Sequence, residues 1–213
     1  LVAGVPRPIL TPLQVRERLA RRTIAALGYN ECVTYSFIDQ TGASLFGGGA
    51  DALRVDNPIS SEMTHMRPDL LPGLLRAAAR NQARGFGDMA LFEVGPTFHG
   101  GEPGEQNLLA SGLLIGSVAP RDPFGSRRAV DVFDAKADAE AVLAALGAPA
   151  RVQISRKVAD WWHPGRSGAI GLGPNVLATF GEVHPRVLQA MGVKGPAVAF
   201  TIAIAAVPEP KAK

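Results

Sequence analysis

The chain has 213 residues, 46% of them hydrophobic, which is enough for one domain with a real core and too apolar for a disordered segment. Its net charge is only +3 and 6% of it is aromatic, and no basic run is interleaved with aromatics in the manner of a single-strand nucleic-acid platform. One cysteine excludes an intramolecular disulfide, the apolar runs are far shorter than the roughly 20 residues a membrane helix needs, and residues 1–10 lack a secretory pattern, so the cytoplasm is the expected compartment.

In chain order, residues 1–10 contain Pro6 and Pro8 and read as a linker from a preceding domain. Thr11 is placed to cap a first helix, with Pro12 at its first position and Gln14 completing a capping box. Gly28 supplies the left-handed residue that ends it. The β-branched and aromatic run 31–39 reads as a strand, and the glycine triplet at 47–49 as a loop. A second helix is expected over 71–84, with an apolar stripe of Leu74, Leu75, Ala78 and Ala79 and Gly85 at its end. Strands are expected over 89–98 and 108–116. Asp134 is the expected cap of a third helix, 135–146. Short strands at 151–156, 167–172 and 176–183 follow, the last two joined by a turn at 173–175. His184-Pro185 opens a short helix ended by Gly192, and 198–205 is a final buried strand. Residues 208–213, PEPKAK, read as a linker to a further domain, which leaves 11–207 as the folded unit. Most strand-to-strand links are too short for parallel crossovers, so the expected architecture is α+β: an antiparallel sheet flanked by helices.

Residues with chemical potential have bland alternatives. The histidines, His65, His99, His163 and His184, show no metal-ligand spacing. Cys32 lies in an apolar run and reads as a small buried hydrophobe before it reads as a catalytic thiol. Glu93 is either a buried functional carboxylate or, the commoner case, a solvent-facing strand residue. Arg67 either binds an anion or, the commoner fate, pairs with an acid such as Glu62. Arginines collect on two expected helices, at Arg16, Arg18, Arg21 and Arg22 and at Arg76, Arg80 and Arg84. These form either an RNA-binding face or a solvated surface, the blander reading.

Six ordered segments resemble one family. GYNECVTYSF (28–37), NPISSEMTHMRPDLLPGLL (57–75), RNQARG (80–85) with LFEVGPTF (91–98), VFDAKADAEAVL (132–143), HPGRSGAI (163–170) and GEVHPRVL (181–188) are similar to the β subunit of bacterial phenylalanyl-tRNA synthetase. Ala137 stands where that family usually has glycine. The resemblance implies a class II aminoacyl-tRNA synthetase-like catalytic-domain fold, as a fragment without the family's editing and anticodon-binding-like domains. It implies an α subunit, a second β subunit and tRNA-Phe as partners in an (αβ)2 assembly, with ATP and Mg2+ used by α and no cofactor held by this chain. The resemblance also places the first adenylate-binding arginine of an active class II module near His99. A second belongs after the last strand, where 193–207 contains no arginine. The implied role is structural and non-catalytic. The first helix, resembling the family's motif 1 helix, is the expected interface, at Leu19, Ala20, Thr23, Ile24 and Leu27. An RNA-binding module and an active adenylate-forming domain remain the alternatives.

Overall fold

A computed structural model describes residues 4, 9–119, 123–125 and 127–209. The expected linkers at 1–10 and 208–213 lie mostly outside these residues.

Helix α1 (Pro12–Ala26) begins at the expected capping box: Thr11 accepts from the Gln14 backbone and the Gln14 side chain returns to Thr11. Gly28, at φ 94°, ends it. Of the strand expected over 31–39, only β1 (Asn30–Glu31) and β2 (Phe37–Ile38) form, in two different sheets. Helix α2 (Gln40–Leu45) follows, capped by Asp39, and β3 (His65–Met66) pairs antiparallel with β2. Helix α3 (Leu71–Gln82) buries Leu74, Leu75 and Ala78 of the expected stripe, leaves Ala79 half-buried, and adds Leu71 and Ala77 to the buried side. Strands β4 (Met89–Phe98) and β5 (Gln106–Ile115) form a long hairpin.

Helix α4 (Val132–Ala145) starts earlier than expected. Asp131 is its cap, and Asp134 is the third helical residue that closes the box back onto Asp131. Strands β6 (Gln153–Ser155), β7 (Trp162–Leu172) and β8 (Asn175–Val183) follow. Helix α5 (Pro185–Ala190) is capped by His184, and β9 (Ala197–Ala203) closes the chain's regular structure.

The main sheet has seven strands in the order β1-β4-β5-β9-β8-β7-β6. Every pairing is antiparallel except that of β1 with β4. One face carries Phe92, Val94, Phe200 and Ile202, covered by α1 and α4 through Ala20, Ile24, Ala135, Ala139 and Val142. The other carries Leu91, Leu113, Ala197 and Ala199, covered by α3 and α5 through Leu71, Leu74, Val187 and Leu188. A sheet this apolar on both faces needs both layers, and the chain supplies them. The expected α+β class is what forms.

Candidate functional site

Strand alternation puts Glu93, Gly95 and Thr97 on the α3 side of β4. The register aligns Glu93 with Ser111 on β5, Thr201 on β9 and Thr179 on β8. A polar row therefore crosses an otherwise apolar face. Ser111 and Thr201 satisfy each other through a 2.9 Å hydroxyl pair.

Glu93 is answered from outside the sheet. It is 4% exposed, which corrects the expectation of a solvent-facing residue. Arg67, reaching over from the stretch between β3 and α3, places Nη1 2.7 Å from Glu93 Oε1. This also corrects the choice of Glu62 as its acid. Arg67 Nε donates to the Pro96 carbonyl at 2.9 Å, and Nη1 also donates to Thr34 Oγ1 at 3.1 Å. Thr34 gives both its backbone N–H and its hydroxyl to Glu93, at 3.2 and 2.7 Å. Buried charges demand such satisfaction.

Two glycines make the approach possible. A Cβ on Gly95 would stand 2.7 Å from Arg67 Nη2, and one on Gly73 of α3 would stand 2.3 Å from Thr34 Oγ1. Thr34 thus explains the break in the expected 31–39 strand. The segment is drawn toward Glu93 and Arg67, and its neighbours Val33 and Tyr35 are left 92% and 70% exposed.

Asp69 borders this cluster. Its carboxylate accepts from Leu71 N at 2.8 Å at the start of α3. Burial dominates the backbone hydrogen bonds and Arg67, and pushes its pKa up to about 6. The native state therefore binds a proton that the unfolded chain has released, between the ordinary carboxylate value and about 6. That contribution is present at low pH and lost as pH rises through about 6; it amounts to about 3 kcal/mol. Asp69→Asn should melt higher than the parent at pH 7, with the gap closing toward pH 4. A gap that is constant across melts in this range would contradict the assignment.

The first adenylate arginine of an active module is expected near His99. This histidine sits exposed just past β4, where its backbone N–H bonds the Glu105 carbonyl. After β9 comes a short 3-10 turn, Ile204–Ala206, with no cation. Among the described residues no group of three or more His, Cys, Asp or Glu side chains is placed to hold a metal ion. Cys32 is half-buried, and its thiol is pushed up by burial and by Glu93.

The expected interface residues divide. Arg16, Ala20 and Ile24 form the inner stripe of α1, so Ala20 and Ile24 are enclosed by this chain's own core and offer nothing to a partner. That corrects the expectation of these two as interface residues. Leu19 and Leu27 are 38% and 41% exposed, and Thr23 is half-buried. Val15, Leu19, Thr23 and Ala26, at helical spacing, make a second, outward stripe.

The arginine faces are not free as a set. Arg16 is buried and holds the Val207 and Pro208 carbonyls at 2.5 and 2.7 Å. Arg21 pairs with Glu17 and Glu31, and Arg76 pairs with Asp39. Arg18, Arg22, Arg80 and Arg84 stay exposed. No signal in the sequence singles out Thr34, Val33 or Tyr35, since their roles depend on a partner 59 residues away.

A family model described as the phenylalanyl tRNA synthetase beta chain CLM domain matches residues 2–204. The phenylalanine–tRNA ligase beta subunit of Cereibacter sphaeroides is 80% identical over 211 residues, 99% of this chain and 26% of that protein. The corresponding subunit of Ruegeria pomeroyi is 68% identical over 99% of this chain and 27% of its own length. The chain thus spans about a quarter of these relatives. Among solved structures, Desulfitobacterium hafniense PylSc, a pyrrolysyl tRNA synthetase, has the same fold by a TM-score of 0.66. The sequence identity is 16%, over 93% of this chain and 67% of that one.

Proposed function

Because this chain belongs to the phenylalanyl-tRNA synthetase β-chain family, we propose that it is a class II-like module that has kept the fold and given up the chemistry. In this reading it packs on the α subunit and on a second β subunit, and supports an (αβ)2 ligase that charges tRNA-Phe in the cytoplasm. ATP and Mg2+ are then used by α. No helix among the described residues is long and apolar enough to cross a membrane.

The observation that carries the reading is the face of β4. An adenylate-forming site needs fixed, unspent cations beside the sheet to meet the phosphate. Here the guanidinium on that face, Arg67, is engaged by Glu93, Thr34 and the Pro96 carbonyl. His99 lies at the strand end, and a neutral imidazole does not reproduce an arginine's bidentate, permanent charge.

The docking surface follows from exposure. Val15 and Leu19 on the outward stripe of α1, together with Val33 and Tyr35, are exposed side chains with large apolar surface among the described residues. In this reading these side chains are the contact residues, since exposed apolar surface is what a partner covers. Arg18 and Arg22 flank the stripe at its rim, where charge tunes orientation more than affinity.

The test is phenylalanine-dependent ATP–pyrophosphate exchange by the pure chain, prepared free of any host α subunit. The expected rate is that of a buffer blank. Exchange above the blank by the pure chain would restore the active-enzyme alternative.

A further inference from the structure

The groove between the 156–164 segment and the start of α5 has no part in the reading above. It has a volume of ≈ 400 Å³ and is lined by Arg156, Asp160, Trp162, Pro164, His184 and Arg186, among others. Pockets that hold small ligands begin at about 300 Å³, so there is room for a phosphate with its sugar.

Its donors are uncommitted. Arg156 is exposed and makes no ion pair among the described residues. Among the described residues Arg186 meets no carboxylate, and its Nη2 reaches the Asp160 carbonyl at 3.3 Å. His184 Nδ1 accepts from the Arg186 backbone at 3.2 Å, and His163, beside the groove and not in its lining, has Nδ1 accepting from Gly165 at 3.1 Å. In each neutral ring the proton therefore sits on Nε2, free to donate. The two rings lie 6.3 Å apart, nearly parallel. Trp162 is almost wholly buried, and its indole N–H has no acceptor among the described residues. Asp160 is the one acid among the described lining residues, so the two arginines leave the groove net positive.

Positive charge also continues past the groove. Arg151 and Lys157, both exposed, flank the edge strand β6 outside the groove. A single phosphate has no use for that extension, whereas a chain of phosphates does. We propose that this groove and the adjoining edge receive a stretch of RNA sugar–phosphate backbone when the assembled ligase binds its RNA. The inference rests on the subunit reading above. It moves RNA contact from the arginine-bearing helices to the opposite, β6 edge of the sheet.

The experiment uses full-length holoenzyme carrying Arg156→Gln/Arg186→Gln in the β subunit, with Arg80→Gln/Arg84→Gln as the control. Fluorescence anisotropy with a tRNA transcript and with an unstructured RNA oligomer is read across salt concentrations. The expected result is a roughly tenfold loss of affinity for both RNAs. The salt slope should fall by about one for each arginine removed. The control pair should behave as wild type. Unchanged affinity and slope, or an equal loss in the control, would overturn the proposal. So would binding to phosphatidylserine vesicles that depends on these arginines while RNA binding does not. Sedimentation of the same samples separates the failures. Wild-type chains that do not assemble would overturn the subunit reading and this inference with it. Intact assembly with unaltered RNA binding overturns this inference alone.

Discussion

Replacing Arg67 with methionine should destabilise the chain by about 3–5 kcal/mol, because Glu93 is then left charged and unpaired in the interior. An exposed pair would cost about 1 kcal/mol or less. Glu93→Leu should cost a similar amount by stranding the guanidinium. The double change, Arg67→Met/Glu93→Leu, should recover most of either loss, since two apolar side chains can fill the same volume without desolvated charge. Urea denaturation of the four proteins gives the coupling energy directly. A cycle that closes additively would mean that the two side chains do not hold each other. The role of Thr34 in the same network then predicts that the 32–36 segment loosens in either single variant, seen as faster amide exchange at Thr34.

The second large effect separates the two stripes of α1. Ile24 is fully enclosed against Phe92, Ala139 and their neighbours, so Ile24→Glu places an unpaired carboxylate in the core. The expected cost exceeds about 4 kcal/mol, a large share of what a domain of this size has. Leu19→Glu puts the same charge on the outward stripe, where water reaches it, and should leave the thermal midpoint of the chain within a degree or two. Equal destabilisation by both changes would show that the outward stripe is part of the core.

Local chemistry was the part of the fold most legible in the sequence. The Thr11–Gln14 box, the Gly28 and Gly85 ends and the whole of β4 follow from residues within a few positions of each element. Where two acids sit three residues apart, the sequence is ambiguous. Asp131 and Asp134 cap reciprocally, and either alone looks like the start of α4. Long-range pairing was illegible. Alternation along β4 separates Glu93 from Phe92, but only the arrival of Arg67 and Thr34, 26 and 59 residues upstream, makes its side a buried one. The same pairing breaks the 31–39 run that propensity alone reads as one strand. On α1, the sequence offered a broad apolar surface without saying which stripe the sheet takes. The inner stripe includes Arg16, a residue that hydropathy places outside and that the Val207 and Pro208 carbonyls hold inside.

The central claim is that this module works by docking rather than by chemistry, and sedimentation of the full-length β subunit with its α subunit tests it most directly. The wild-type pair should sediment as one heterotetrameric species. Leu19→Glu combined with Tyr35→Glu, both on uncovered side chains, should shift it toward free subunits while each β chain stays folded. Aminoacylation should fall in proportion to the assembled fraction. An unchanged sedimentation profile for the double variant, at concentrations where the wild-type assembly is near its dissociation midpoint, would contradict the account.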